Sequence, residues 1–307
     1  MEGRASLAGA VLAGALWGLS GTAAQALFQI YAFPPVGLVT IRTIAAGVAI
    51  LLVLRPSLPK WREHFPHLLI LAVFGIVGSQ LGYLVAIQYS NAPTGALLQF
   101  LFLPIVAGYE ALRGAFSWTM SLTTTLVFAT AGTILLIGVF PSQGSIQILI
   151  TPVGLFAGLF SAVTGAYYTL ASKSLVREKG SWWLVTWGFI IGGIVSSPFG
   201  GYYISKYSLP SAASSELAIA ALVSFVVIFG TILSFGLYLG GLRRLTATET
   251  GVAASLEPIT AAIAAYLFLG VQLTIIQYVG GALIILAVIL ISLKPPYKQV
   301  ASANASF

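Results

Sequence analysis

The stretch Phe229–Pro258, FGTILSFGLYLGGLRRLTATETGVAASLEP, runs on into a further apolar segment ending at Leu269. Two segments of membrane-crossing length meet at the basic turn Arg243–Arg244, and the second carries Glu257–Pro258 deep inside it. The stretch has an earlier echo. At an offset of 155 residues and without a gap, Phe74/Phe229, Gly75/Gly230, Ser79/Ser234, Tyr83/Tyr238, Leu84/Leu239 and Ala92/Ala247 are identical. In so apolar a chain, Leu or Gly matches arise easily by chance, but a Phe, a Ser and a Tyr in one register do not. A repeat of half the chain length sets the architecture.

Composition bounds the rest. The 307 residues are 58% hydrophobic and 7% charged, with a mean hydropathy of +1.00, far more apolar than a soluble domain needs. There is no Asp and no Cys, so disulfides and thiol chemistry are excluded. The net charge of +7 does not point to nucleic acid, because the basic residues sit in short loops between apolar runs. Those runs lie near 7–29, 34–54, 67–89, 92–112, 118–140, 152–172, 183–205, 217–242, 246–269 and 273–293, each long enough for a bilayer core of roughly 30 Å. Backbone in lipid must satisfy its own hydrogen bonds, so all ten are read as helices. The expected fold is an all-α polytopic membrane protein.

Orientation follows from Lys and Arg. Twelve of the fourteen fall on one side, Lys206 stands alone on the other, and Arg42 lies within a span. Both termini are therefore expected in the cytoplasm, in a plasma membrane of prokaryotic type. A cleaved leader ending near Ala24-Gln25-Ala26 would leave nine spans and break the repeat. With five spans to a half, residues 1–143 and 144–307 enter the membrane from opposite sides. The expected architecture is thus ten transmembrane helices in two inverted five-helix repeats, joined at the linker Pro141–Ser145, with a binding site near the midplane between them.

Polar and aromatic residues step along several spans at helical spacing. Trp17, Gly21 and Gln25 share one face of the first, and Gly14 and Gly18 form a small-residue pair that admits a neighbouring helix. Gln80 and Tyr83 lie in the third span, Asn91, Gly95 and Gln99 in the fourth, Ser161, Thr164 and Tyr168 in the sixth, and Tyr238 in the eighth. Such stripes serve either as interhelical glue or as ligand contacts. Arg42 and Glu257 are the most deeply placed charges and fall near one level. They pair with each other, or Arg42 snorkels while Glu257 satisfies backbone freed by Pro258, or Glu257 carries coupling protons. Glu110 and Arg113 read as a surface pair, and Glu63 and His64 as a solvated loop. Trp182 and Trp183 read as interfacial belt aromatics.

From Leu16-Trp17-Gly18, Arg42, Tyr83, Ala92-Pro93-Thr94-Gly95-Ala96-Leu97-Leu98 and Pro104 in the first half, the chain resembles the EamA-type transporters of the drug/metabolite transporter superfamily. In the second half the resemblance rests on residues 166–173, AYYTLASK, and 245–258, LTATETGVAASLEP, followed by Gly270 and Gly280-Gly281-Ala282-Leu283-Ile284. It covers nearly the whole chain, and it is the ordered set rather than any one motif that is specific. Two departures stand out. The family's L-G-E after the ninth span is Leu269-Gly270-Val271 here, and the fourth span carries one residue more than its repeat mate before its proline.

The resemblance implies a five-plus-five inverted repeat that exports or exchanges small metabolites such as amino acids. It also implies a central cavity between the first, third, fourth, sixth, eighth and ninth helices. The candidate substrate-binding set is then Trp17, Gln80, Tyr83, Gln99, Thr164, Tyr168 and Tyr238, with Arg42 and Glu257 as the intramembrane charges. No cofactor or metal is expected; the partners are a small molecule, the lipid bilayer and a coupling proton, with the chain a monomer or homodimer. Two alternatives belong to other classes. Gly18-Leu19-Ser20-Gly21 matches the nucleophile motif of rhomboid proteases, which needs an intramembrane His partner. A carrier of phosphorylated or nucleotide-linked sugars needs several basic residues in the cavity, where Arg42 is the one candidate.

Overall fold

The computed structural model describes residues 2–113 and 150–292, with scattered positions between 120 and 147. Among the described residues, eight helical segments are long and apolar enough to cross a membrane. The expected fifth span, 118–140, lies largely outside the described residues. The tenth is helical as α13, Ile275–Ser292. Phe140–Ser142 pairs antiparallel with Ser145–Gln147, so the described residues of the expected linker lie in two paired strands. The remaining regular structure among the described residues is helical, and large apolar side chains such as Leu52, Val53, Phe156, Phe199 and Phe268 point outward, as a lipid-facing surface requires.

Helix α1 is Glu2–Gln29 and α2 is Pro35–Leu54. The third span is composite: α3, Trp61–Ile70, passes through a π-helical stretch, Leu71–Gly78, into α4, Ser79–Gln88. The fourth is broken into α5, Ala92–Gln99, and α6, Phe102–Leu112. In the second half, α7 is Pro152–Lys179 and α8 is Ser181–Lys206. Helix α9, Ala213–Val227, passes through a second π-helical stretch, Ile228–Leu233, into α10, Ser234–Leu242. The ninth expected span is broken into α11, Ala247–Ala253, and α12, Leu256–Leu269.

The irregularities occur at matching places. Both π-helical stretches end at the repeat mates Ser79 and Ser234, and each serine hydroxyl donates back to a carbonyl within the stretch, Gly75 and Phe229 respectively. Both broken spans carry proline as the third residue after the break. A proline ring clashes with the carbonyl four residues earlier, here Phe100 for Pro104 and Ala254 for Pro258, and there the helices are interrupted. Helices α5 and α11 start at the repeat mates Ala92 and Ala247, and α5 is one residue longer. The extra residue of the fourth span therefore sits between its cap and its break, and Leu103 is the positional counterpart of Glu257.

Small residues set the helix contacts. A Cβ on Gly14 would collide with the carbonyl of Ala254, and one on Gly18 would overlap Thr260 Oγ1 and stand 2.5 Å from the Glu257 carbonyl. Helix α1 can therefore lie directly on the broken ninth span, as the Gly14/Gly18 pair suggested. Helix α2 packs along α8, with Gly47 on Ile190, Gly193 on Ile44 and Thr40 Oγ1 donating to Ser196 Oγ at 2.9 Å.

Candidate functional site

The breaks, the π-helical stretches and the glycine contact of α1 enclose a cavity of about 50 Å³ between the two halves. Its aromatic wall is Trp17 from α1, whose ring lies edge-on to Phe235 at 5.0 Å and tilted against Tyr238 at 5.1 Å. Tyr168 of α7 meets Phe235 at 5.8 Å. The Tyr238 hydroxyl is paired with Thr169 Oγ1 at 3.0 Å. One donor on the wall is left over: Trp17 Nε1 is buried without a hydrogen-bond partner, while the Tyr83 hydroxyl faces the Glu257 carboxylate. A buried polar group without a partner is costly, so the indole N–H awaits an acceptor. Tyr83 reaches the wall because Gly21 leaves room for its hydroxyl against α1.

Both intramembrane charges line this cavity, and both are buried. They are linked by coulombic attraction and not by a contact ion pair. Arg42 Nε donates to Thr231 Oγ1 at 2.8 Å, and Nη2 donates to the Gly230 carbonyl at 2.9 Å. These partners lie in the second π-helical stretch, where Thr231 Oγ1 itself donates to the carbonyl of Val226, five residues back. The π geometry turns backbone and hydroxyl oxygens toward α2, so the guanidinium is satisfied by span eight. The direct Arg42–Glu257 pair that matching depth suggested does not form, and neither does snorkelling. Glu257 sits just after the break of the ninth span, where its carboxylate interacts with Tyr83 and with Arg42.

Of the candidate substrate contacts, Trp17, Gln80, Tyr83, Gln99, Tyr168 and Tyr238 line the cavity. Thr164 does not. Its hydroxyl donates back to Phe160 and Ser161 of its own helix, and its methyl packs on the backbone at Gly78. Ser161 is likewise a helix contact, donating to the Ser79 carbonyl at 2.7 Å. The sequence reading missed Ser20, Phe102, Thr169 and Phe235. Ser20 and Phe235 are each three residues from a named aromatic, so extending the stripes by helical spacing would have found them.

Polar side chains close the two ends of the broken spans. The amide of Ala92 donates to Gln25 Oε1 at 2.7 Å, and that of its repeat mate Ala247 donates to Glu110 Oε1 at 3.2 Å. Glu110 also accepts from the amide and hydroxyl of Thr248 and from Lys173 Nζ at 3.1 Å. It is a buried cap across the halves, not one member of an exposed Glu110–Arg113 pair. Arg113 lies instead over the ring of Tyr109. His64 corrects a second expectation: it is buried on helix α3 against Trp183, not solvated in a loop. Trp183 is buried too, with its Nε1 donating to the Ser57 carbonyl, so it is no belt residue. Ser20 and His64 line different cavities and make no nucleophile–base pair.

This architecture has relatives. An inner membrane transporter of Salmonella typhimurium, YicL, is 30% identical over 94% of this chain and 96% of its own length. The EamA-like transporter family model matches residues 152–293. The chain belongs to the EamA-like transporter family. This makes it a membrane transporter of the drug/metabolite superfamily, as the ordered motifs implied. The Bacillus subtilis transporter YvbV is 27% identical over 94% of this chain and 91% of its own. A solved crystal structure, 17% identical, superposes with a TM-score of 0.65 over 94% of this chain and 97% of its own, which shows the shared fold. The family model covers the second half; the EamA-like character of the first half rests on YicL and on the matched irregularities of the two halves.

Proposed function

We propose that this EamA-like chain is a secondary transporter. It moves a small organic metabolite, an amino acid or a compound of similar size, by alternating access between two inverted five-helix halves. The observation that carries the reading is the cavity itself. It draws side chains from both halves and presents an aromatic wall, an unpartnered indole donor and two opposite charges. An aromatic, largely apolar site with a few fixed polar groups suits a small amphiphilic solute. One guanidinium is poor provision for a phosphorylated or nucleotide-linked sugar. The cavity holds only a few waters, at roughly 10–15 Å³ each, so a larger solute requires the helices to part.

In this reading both termini are cytoplasmic, the membrane is the bacterial plasma membrane, and Glu257 carries the coupling proton. Gln25 and Glu110 cap the two broken spans on opposite sides of the membrane. Opening toward one side breaks one cap and leaves the other. The direction of transport is export or exchange.

The test is counterflow of radiolabelled aromatic and aliphatic amino acids across proteoliposomes containing the purified protein. Saturable counterflow that falls strongly in Trp17→Ala and Tyr83→Ala, with both variants eluting as folded protein, supports the site. Saturable counterflow unchanged in both variants removes the cavity from substrate binding, and its absence for every amino acid overturns the substrate class.

A further inference from the structure

A second cavity, of about 220 Å³, opens between the start of α3 and the end of α7, and transport in the central cavity makes no use of it. Glu63 and His64 contribute from the first turn of α3, and Glu178 from the last turn of α7. His64 is 4% exposed, yet neither ring nitrogen has a hydrogen-bond partner. Its Nε2 stands 3.6 Å from Glu178 Oε1 and 4.0 Å from Glu63 Oε1, too far for hydrogen bonds. A buried imidazole with both nitrogens unsatisfied, aimed between two carboxylates, lacks something that would accept its lone pair.

We propose that Glu63, His64 and Glu178 form a divalent-metal site of the Zn²⁺ type that ties α3 in the first half to α7 in the second. One imidazole nitrogen and two carboxylate oxygens are ligands that Zn²⁺ takes readily. One oxygen from each carboxylate and one ring nitrogen lie within 4.8 Å of one another. Ligands at about 2.0–2.1 Å from a tetrahedral ion stand roughly 3.3 Å apart, so the three need to close by only a fraction of an ångström to somewhat more than one. Trp183 packs edge-on against the ring, with centroids 5.5 Å apart, and is itself fixed by Ser57. The carboxylates are paired to Lys60 at 3.1 Å and to Lys179 at 2.7 Å. Lys60 and both carboxylates are exposed and Lys179 is partly so, and such pairs contribute little, so an incoming cation displaces the ammonium groups at small cost. His67, one turn along α3, lines the same cavity and leaves the fourth position to itself or to water.

The experiment uses the full-length protein in detergent with any affinity tag removed, titrated with Zn²⁺ in competition with a chromophoric chelator. The expected result is one bound equivalent in the wild type. Glu63→Gln and Glu178→Gln should each weaken it roughly tenfold or more, and the double variant should abolish it. Both glutamates are exposed, so these variants fold whatever the fate of His64→Ala. A parallel melting curve should show Zn²⁺ raising the Tm of the wild type and not that of the double variant, because the ion binds only where the two helices meet. No stoichiometric binding overturns the site. Binding that the double variant retains means an adventitious ion only and overturns it equally.

Discussion

Glu110 and Thr248 are joined twice: the carboxylate accepts a 3.1 Å bond from the Thr248 amide and a 2.6 Å bond from its hydroxyl. The bonds cross from α6 in the first half to α11 in the second. Glu110→Ala leaves the first amides of α11 without their buried acceptor, at a cost of about 1–3 kcal/mol each at most. The expected outcome is a clear fall in Tm in detergent. Thr248→Val, which keeps the amide bonds, should lower it less. Equal melting of all three proteins would show that the cap contributes nothing.

Arg42 is held by Gly230 and Thr231, not by Glu257, and the difference can be measured. Thr231→Val removes one hydrogen bond to a buried charge and should destabilise by about 1.5–3 kcal/mol. Arg42→Gln should lower Tm, and adding Glu257→Gln should not restore it, because no contact pair links the two side chains. Restoration of wild-type melting by the double variant would re-establish the direct pair.

If Glu257 carries the coupling proton, Glu257→Gln keeps the shape of the side chain and removes its titration. The protein should fold with wild-type Tm, lose uptake driven by an imposed pH gradient, and retain counterflow at constant pH. Wild-type gradient-driven flux in this variant would take Glu257 out of the coupling role.

Gly18 permits α1 to touch the ninth span. Gly18→Ala drives a methyl into Thr260 and the Glu257 carbonyl and should cost about 1–3 kcal/mol through overpacking. A Cβ at Gly240 meets nothing within 4 Å, so Gly240→Ala in the same fold should be neutral or slightly stabilising. Comparable melting of the two variants would mean that α1 does not lie where it is described.

The proposed topology puts the loop near Ser211 outside and the turn at Arg243 inside. The native chain has no cysteine, so Ser211→Cys and Arg243→Cys give clean single-site labels. An impermeant thiol reagent applied to intact cells should modify the first and spare the second. The reverse pattern would invert the topology.

Membrane residence and helicity were legible in the chain because they depend on local properties. Apolar runs of fixed length answer to bilayer thickness, and a periodicity of three to four residues marks a helix face whatever that face meets. The stripes named Trp17, Gln80, Tyr83, Gln99, Tyr168 and Tyr238 of the cavity for this reason. They misassigned Thr164 because a hydroxyl can bond its own helix four residues back, and spacing does not record that choice.

What only the tertiary structure decided is which distant groups meet. Counting residues puts Arg42 and Glu257 near one level along the bilayer normal. Lateral neighbours do not follow from counting, and the π-helical turn at Gly230–Thr231 supplied, beside the Thr231 hydroxyl, a backbone carbonyl that no side-chain inventory contains. Glu110 and Arg113 looked like a surface pair by their spacing, until packing brought the open N-terminus of α11 to Glu110. His64 read as solvated because its neighbours in sequence are polar; Trp183 and Glu178, more than a hundred residues away, make its surroundings. In each case the deciding partner came from the other half of the chain. Local composition determines that a segment crosses the membrane, whereas the contacts across the two halves determine what its polar residues do there.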